Sequence, residues 1–441
     1  MAPATPPRNR PAPPGRPPHP AAPARGPATT GRLTLAQGTA LYVGAVLGTG
    51  VLALPGLTAQ TAGPASLIAW AALVVMSVPL AATFAALAAR QPDPGGVSTY
   101  VRRAFGDRAA TVVGWWFYLG APVGIPALAL FGASYLERST GGGPVATTGY
   151  AAALLAAGFL ANAFGVRVSG RVQLLLSGSL ALLLVLGILV ALPHADPARL
   201  RPFAPHGWSA IGPAAALLVW SFTGWETVTH LSAEFARPRR DIKRATAAAL
   251  LTIGVLYLAL ATVTVLALGA AGTSATSLAA LLELGFGPAG PLLAGVIAVL
   301  TTLGTMNAYI AGTAKLGAAL ARDGALPPAL GSGAEPGGVP RRSLTVVAAI
   351  AATVFTAATI THTPVQPLVL STTACLGAVY AVGSAAGARL LRPHTPWGTA
   401  AALTSLLLIC VLLALTGAYL LWPVVLGGGA LLWCRRPSQI P

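Results

Sequence analysis

Two short interruptions of apolar sequence carry the residues best suited to bind a small molecule. The first comprises Gly48, Thr49 and Gly50, and Pro55 follows in the same apolar run. Glycine costs about 1 kcal/mol and proline about 3 kcal/mol per helical position relative to alanine, so a helix is expected to lose its regular hydrogen bonds here. Freed backbone groups persist in a bilayer only where protein, water or a ligand satisfies them. The stretch predicts either a binding site or a patch of small residues that lets two helices pack closely.

The second interruption lies in residues 219–226, where Thr223 and Gly224 precede Glu226 inside another apolar run. Nine of the ten acidic residues fall in loops or at the ends of apolar segments, and Glu226 lies within one. A charge at the membrane centre costs at least about 2.5–3.5 kcal/mol on insertion scales, so we expect Glu226 to face away from lipid. Two roles stay open: coupling of a substrate, proton or gate, and a structural carboxyl that caps freed backbone amides.

Glu226 and His230 are four residues apart, so they would share one face of a helix. Histidine gains and loses a proton near neutral pH. Beside a carboxyl group it could relay a proton between the site and the cytoplasm. The alternative is that the His230 ring bonds a backbone carbonyl and takes no part in proton coupling.

A broken helix exposes the ends of two half-helices. The N-termini carry partial positive charge and free N–H groups, which suit a carboxylate, whereas free carbonyl groups suit an ammonium. We assign the carboxylate to Thr49 and the backbone of Gly48 and Gly50, and the ammonium to the backbone of residues 222–224. Paired interruptions in two halves of a chain indicate a transporter site near the membrane centre, here for a small zwitterion.

Three aromatic residues of the second interruption are candidates for gates that occlude such a site. They are Trp220, Phe222 and Trp225. Ordinary aromatic packing is the alternative for each of them.

The amino-acid composition indicates that these segments lie in a membrane. The 441 residues are 55% hydrophobic and 8% charged, against about 25% charged in soluble proteins, and the mean hydropathy is +0.73. We predict an all-α polytopic membrane protein. The three cysteines have no metal-binding spacing, so they are interpreted as packing residues, and neither a metal nor a cofactor is expected.

Twelve apolar segments are long enough to be transmembrane helices. Their predicted limits are 35–59, 65–89, 110–136, 146–165, 170–192, 211–233, 245–270, 288–318, 343–361, 366–388, 398–416 and 418–434. Residues 95–106 are too polar to span and predict a short surface helix. Residues 1–33 are rich in proline and arginine and predict a disordered tail.

The basic residues fix the expected orientation. With a cytoplasmic N-terminus, 24 of the 27 lysines and arginines fall on the cytoplasmic side, and Arg138, Arg199 and Arg201 fall on the other. This asymmetry is typical of inner-membrane proteins with cytoplasmic termini. The charge is spread over short loops, which argues against nucleic acid as a partner.

The two interruptions fall in the first and sixth segments, five helices apart. Because five is odd, a duplicated five-helix unit must insert upside down. The sequence therefore predicts a 5+5 inverted repeat with discontinuous helices 1 and 6. The expected units are residues 34–192, residues 211–390 and two further helices in residues 397–434.

Four motifs resemble those of the amino acid–polyamine–organocation transporters. Residues 48–55 are similar to the first-helix signature, and residues 220–226 to the sixth-helix motif. Residues 95–106 resemble the segment that enters helix three, and residues 311–327 the end of helix eight. The motifs occur in the expected order along nearly the whole chain after the tail.

Within this family the chain is most similar to the bacterial amino acid efflux branch, on residues that include Pro122–Ala127, Gly224–Ala245 and Asn307. The resemblance implies proton-driven export of neutral hydrophobic amino acids (methionine, leucine, isoleucine, valine) by alternating access. An importer or an exchanger on the same scaffold is the alternative. The exact amino acid, the direction and the oligomeric state stay open.

The chain also departs from some relatives. Relatives that exchange cationic amino acids have an aromatic residue near Met306 and an amide near Ala45, and this chain has neither. Without a cation–π partner, a pocket lined by Met306 and by aromatic groups such as Phe222 or Trp225 favours an apolar substrate side chain. Asn307 is a further candidate substrate-binding residue. Helix five carries no lysine within its span, so the mechanism of relatives that use one is not transferred. One intramembrane acid provides no catalytic constellation, so an enzyme is not expected.

Overall fold

The computed structural model describes residues 35–48, 50–90, 96–165, 170–225, 235, 237–333 and 338–435. Fifteen α-helices occupy most of these ranges. They are α1 Leu35–Leu47, α2 Gly50–Ala62, α3 Ser66–Arg90, α4 Gly96–Phe105, α5 Asp107–Thr140, α6 Gly143–Ala163, α7 Gly170–Ala191, α8 Ile211–Leu218, α9 Pro238–Gly272, α10 Ser277–Phe286, α11 Ala289–Arg322, α12 Arg341–Ile360, α13 Val365–Leu391, α14 Pro396–Leu415 and α15 Leu421–Trp433.

Within the described ranges, nine helical stretches are long and apolar enough to cross a membrane, and three shorter apolar helices accompany them. A hydrocarbon core about 30 Å thick needs about 20 apolar residues in a helix. The chain is therefore a multi-pass helical membrane protein. The count of twelve spans and the inverted repeat stay predictions. The predicted tail lies outside the described residues.

Two long helices organise the packing around the interruptions. Helix α5 packs against α11 and α13, and α9 packs against α1, α2 and α3. Glycines allow these helices to approach closely: a Cβ atom on Gly132 of α5 would lie 2.6 Å from the hydroxyl oxygen of Thr302 in α11. In lipid there is no hydrophobic driving force between helices, so they associate through close van der Waals packing, which small residues allow.

The far end of α2 is tied to the segment that precedes α10. The side-chain amide of Gln60 donates a hydrogen bond to the carbonyl oxygen of Thr273 at 2.8 Å, and Gly56 lies directly against the carbonyl group of Ser274. An ion pair of 2.7 Å between Arg138 and Glu283 joins the end of α5 to α10. These contacts fix one end of α2, and so they help to set the position of the first interruption.

The short surface helix that residues 95–106 predict is present as α4. Its Arg102 pairs with Asp323 at 2.6 Å and with Asp107 at 3.0 Å, which ties α4 to the ends of α5 and α11. Helix α10 was not predicted. Its ten residues are apolar but too few to be recognised as a span.

Candidate functional site

The first apolar segment is broken at its glycines. Helix α1 ends at Leu47, and α2 begins at Gly50. Gly48 has a φ of +38°, a left-handed conformation that side chains rarely adopt. The carbonyl groups at the end of α1 and the N–H groups at the start of α2 therefore meet at this point. Thr49 lies outside the described residues.

The second interruption has a different local structure. Helix α8 ends at Leu218, and one 3₁₀ turn, Val219–Phe222, follows it. Thr223 is extended, with φ −75° and ψ 146°, and Gly224 has a φ of +118°. Thr223 is held in place by its hydroxyl, which donates to the carbonyl oxygen of Trp220 at 2.8 Å. Glu226, His230 and the side chain of Phe222 lie outside the described residues.

The two interruptions lie against each other. A Cβ atom on Gly50 would lie 2.7 Å from Cδ1 of Trp220 and 3.1 Å from the hydroxyl oxygen of Ser221. The far edge of the same indole ring reaches α5, where a Cβ atom on Gly124 would lie 2.5 Å from Cη2 of Trp220. Trp220 thus fills the space between α2 and α5, and two glycines make room for it.

Tyr257 of α9 contacts both interruptions through one hydroxyl group. Its oxygen lies 3.0 Å from the carbonyl oxygen of Val46 in α1 and 2.9 Å from that of Ser221 in the 3₁₀ turn. A tyrosine hydroxyl carries a single proton, so it donates to one of these carbonyls at a time. The other carbonyl keeps capacity for a further donor, such as an ammonium group.

Two more tyrosines hold the backbone around the second interruption. The N–H of Gly224 donates to the hydroxyl oxygen of Tyr380 in α13 at 2.9 Å. The hydroxyl of Tyr42 in α1 donates to the carbonyl oxygen of Trp225 at 3.5 Å, and the two rings pack with centroids 5.6 Å apart. Buried backbone groups in a membrane need such partners, so these side chains stabilise the broken conformation.

The hydroxyl of Ser221 is a polar group that the site does not satisfy. Ser221 is 2% exposed. Its Oγ lies near the hydroxyl of Tyr257 but makes no hydrogen bond of good geometry among the described residues. Leaving a buried hydroxyl unpaired costs about 1–3 kcal/mol. Because this oxygen faces Gly50 at the start of α2, a ligand at the interruptions would meet an available donor.

Met306 and Asn307 make their described contacts elsewhere. Cε of Met306 lies beside Gly158 of α6, and the side-chain carbonyl of Asn307 accepts a hydrogen bond of 2.9 Å from the amide of Asn162 in the same helix. The structure therefore brings Gly48, Gly50 and the residues 220–224 together and puts Met306 and Asn307 at the interface of α11 with α6. The predicted role of the pair in the substrate site stays a prediction.

Sequence reasoning missed the tyrosines and the close approach of α5. Tyr42, Tyr257 and Tyr380 occur singly in apolar helices, and Gly124 lies between the prolines of α5. A single tyrosine in each of these apolar helices could have marked them as candidates, because a buried Tyr hydroxyl usually has a hydrogen-bond partner. The partner itself is visible only in three dimensions.

Paired interruptions within a multi-pass bundle, joined by one hydroxyl group, define a membrane transporter rather than an enzyme. The sequence profile of the amino acid permease family matches residues 33–433. The chain belongs to this family of amino acid transporters.

Named relatives agree with this assignment. The chain is 36% identical over 406 residues to the uncharacterized amino acid permease YecA of Bacillus subtilis strain 168. The aligned residues cover 91% of this chain and 95% of the relative. It is 35% identical over 292 residues to the L-methionine/branched-chain amino acid exporter YjeH of Escherichia coli K12, covering 64% of this chain and 68% of the relative. The branched-chain amino acid permease BcaP of Bacillus subtilis strain 168 is 28% identical over 237 residues, about half of each chain.

Proposed function

We propose that the protein exports neutral hydrophobic amino acids from the cell across the inner membrane, by alternating access and with proton coupling. Methionine, leucine, isoleucine and valine are the proposed substrates, and both chain termini are proposed to be cytoplasmic. The observation that carries the proposal is the contact of both interruptions with Tyr257. Its hydroxyl oxygen lies 3.0 Å from the carbonyl oxygen of Val46 and 2.9 Å from that of Ser221. The proposal includes twelve spans, of which the first ten form the inverted repeat.

The substrate carboxylate would bind at the start of α2. The N–H groups of Gly50 and the next residues belong to the first turn of that helix, where they lack partners within the helix and carry partial positive charge. Thr49 and the backbone of Gly48 complete this half of the site. The hydroxyl of Ser221 is a further donor within reach of the same point.

The substrate ammonium would bind to carbonyl groups at the second interruption and at the end of α1. The hydroxyl of Tyr257 can donate its single proton to the carbonyl oxygen of Val46 or of Ser221, but not to both at once. An ammonium group, which has three donors, could bind the carbonyl that the hydroxyl does not. The backbone of Phe222, Thr223 and Gly224 forms the rest of this half. Trp220 is the proposed gate, because its ring already fills the space between Gly50 and Gly124, and Trp225 and Phe222 are further gate candidates.

Two features favour an apolar substrate side chain. The groups described around the interruptions are indole rings, glycines and hydroxyls rather than charged side chains. In addition, a relative that shares 35% identity is named as an exporter of methionine and branched-chain amino acids. An apolar surface of this kind binds a thioether or a branched alkyl group by burial rather than by hydrogen bonds.

Proton coupling is assigned to Glu226 and His230 on the basis of the sequence. The test is methionine transport in proteoliposomes with and without an imposed pH gradient. Glu226→Gln is expected to keep counterflow, which needs no coupling, and to lose the response to the gradient. Glu283→Gln is the matched control, because Glu283 pairs with Arg138 at the end of α5 and has no proposed role in coupling. An unchanged pH response in Glu226→Gln would overturn this assignment.

The direction of transport is tested by the same preparation. Export predicts that an inward proton gradient, with the cytoplasmic face inside the vesicle, drives methionine out of the vesicle. Accumulation of methionine together with protons would instead favour an importer. Strict dependence on an amino acid on the opposite side would favour an exchanger.

A further inference from the structure

The turn that follows α11 leaves two backbone carbonyl groups in need of partners. Helix α11 ends at Arg322, and Gly324 has a φ of +76°, so the chain leaves the helix in a left-handed turn. The N–H of Ala325 donates to the carbonyl oxygen of Leu320 at 2.8 Å, the bond that closes a Schellman motif. The carbonyl groups of residues 324 and 325 lie beyond this bond and have to be satisfied from elsewhere.

Two indole rings from other helices supply the donors. Nε1 of Trp433, at the end of α15, donates to the carbonyl oxygen of Gly324 at 2.9 Å. Nε1 of Trp115 in α5 donates to the carbonyl oxygen of Ala325 at 2.8 Å. The two rings also pack against each other, with centroids 6.3 Å apart. The last helix and α5 therefore meet at this turn.

The residue before the two carbonyls carries an ion pair. Asp323 lies at the C-terminal end of α11, where the helix dipole disfavours a negative charge, and its carboxylate pairs with Arg102 of α4 at 2.6 Å. Both side chains are nearly half exposed, so the pair alone adds little stability. Its position matters more, because three successive residues are bonded to α4, α15 and α5 in turn. These residues, 323–325, form the α11 mount.

The mount lies at one end of a close contact between α11 and α5. A Cβ atom on Gly317 of α11 would overlap the ring of Tyr118 in α5, and further along α5 a Cβ atom on Gly124 would overlap Trp220. Such close-packed surfaces transmit displacements rather than absorb them. A shift at the mounted end of α11 therefore reaches the part of α5 that contacts the proposed gate.

We propose that Trp433 is a positioning residue for transport: through the α11 mount, the last helix makes α4, α5, α11 and α15 move as one body. The mount joins two motifs, residues 95–106 and 311–327, that the substrate site leaves unused. The effect on transport rests on the proposed function, whereas the coupling of the four helices does not.

The first test asks whether Trp433 holds the turn, and it needs no transport. Ala325→Cys is introduced into the full-length protein with its three native cysteines replaced by serine, and its reaction with a water-soluble maleimide is followed. Residue 325 is 4% exposed, so labelling requires the turn to open. Trp433→Phe removes the N–H donor but keeps a ring, and it should speed labelling about fivefold, the effect of one lost hydrogen bond.

Trp116→Phe is the matched control for this comparison. It removes an indole bond of 2.7 Å from α5 to the carbonyl oxygen of Pro423 in α15, so it loosens the same pair of helices without touching the mount. Its labelling rate should stay at that of the parent protein. Equal labelling in Trp433→Phe and Trp116→Phe would overturn the proposal.

The second test is methionine counterflow per folded molecule, measured with thermal stability on the same preparation. Trp433→Phe should lower the maximal rate about fivefold and leave the half-saturation concentration unchanged, because the mount lies outside the substrate site. A purely structural role would instead lower thermal stability and leave the rate per folded molecule at the wild-type value, and that result would overturn the proposal. Trp116→Phe should keep the wild-type rate.

A second pair of variants covers the case in which Trp433→Phe does not fold. Asp323→Asn, with Asp107→Asn as its control, makes the same comparison, since both carboxylates pair with Arg102 and Asp323 belongs to the mount. Asp323→Asn should speed labelling and slow counterflow, and equal behaviour of the two variants would contradict the proposal. If the wild type shows no methionine counterflow, the proposed function fails, and the labelling comparison still decides whether the mount couples the helices.

Discussion

The hydroxyl oxygen of Tyr257 lies 2.9 Å from the carbonyl oxygen of Ser221. The same oxygen lies 3.0 Å from the carbonyl of Val46, at the end of the other half-helix. One side chain therefore sets the distance between two interruptions that are remote in sequence. Because a single proton serves two acceptors, the arrangement also leaves acceptor capacity for a ligand.

Tyr257→Phe is expected to weaken substrate binding. The hydroxyl bond to a buried carbonyl is worth about 1–2 kcal/mol, so we expect a rise of about tenfold in the half-saturation concentration for methionine counterflow. The matched control is Tyr150→Phe, whose hydroxyl bonds Thr140 at the protein surface and whose loss should leave counterflow unchanged. Wild-type affinity in Tyr257→Phe would mean that the hydroxyl does not organise the site.

Gly50→Ala and Gly124→Ala are expected to reduce transport. A Cβ atom at either position would overlap the indole ring of Trp220, and overpacking typically costs about 1–3 kcal/mol. We expect a fall of about tenfold or more in the counterflow rate at equal expression. Gly312→Ala is the control, because nothing lies within 4 Å of a Cβ atom there.

A second-site change makes the Gly124 prediction specific. Cη2 and Cζ3 of Trp220 are the atoms that a Cβ atom on Gly124 would meet first, and phenylalanine lacks the outer ring that carries them. Trp220→Phe should therefore partly restore transport when combined with Gly124→Ala. If the double variant transports no faster than Gly124→Ala alone, the contact between Gly124 and the indole ring is refuted.

Ser221→Ala separates a ligand contact from a structural one. Because the hydroxyl makes no hydrogen bond of good geometry among the described residues, its removal should leave thermal stability unchanged and raise the half-saturation concentration about fivefold. Ser384→Ala is the contrasting variant, since Ser384 bonds Ser405 at 2.9 Å in a buried pair. It should lower stability by about 1–2 kcal/mol and leave the affinity for methionine unchanged. A loss of stability in Ser221→Ala without a change in affinity would contradict the assignment.

Asn307→Ala is expected to act on stability. It removes one of two hydrogen bonds of the buried Asn162 amide, which also donates to the carbonyl oxygen of Gly158. The loss is expected to cost about 0.5–1.5 kcal/mol of stability, while the substrate affinity stays near that of the wild type. Thermal unfolding and counterflow of the same preparation measure both quantities. A weaker affinity at full stability would instead support the predicted role of Asn307 in the substrate site.

Local backbone signals made the interruptions predictable. Glycines and a proline inside apolar runs indicate a broken helix wherever they occur, and the structure ends α1 at Leu47 and starts α2 at Gly50. The polar stretch of residues 95–106 likewise predicts α4. Both signals depend only on neighbouring residues, so no tertiary information is needed to see them.

The partners of the interruptions could not be predicted in the same way. Tyr257 is 211 residues from Val46 and 36 from Ser221, and no periodic pattern links them. The contacts of Met306 and Asn307 with Gly158 and Asn162 of α6 were likewise not predictable, and the predicted role of the pair in the substrate site stays a prediction. The direction in which a residue of a membrane helix points depends on packing, and an apolar helix with little amphipathic character does not reveal it.

The central claim, that the two interruptions form one clasp for the backbone of a neutral apolar amino acid, is tested most directly by competition against labelled methionine in counterflow. Leucine, isoleucine and valine should compete. The methionine analogues that lack either the carboxylate or the ammonium should bind at least about 100-fold more weakly, because each would leave buried groups of one interruption unpaired. Equal competition by either analogue, or a preference for arginine over methionine, would contradict the account.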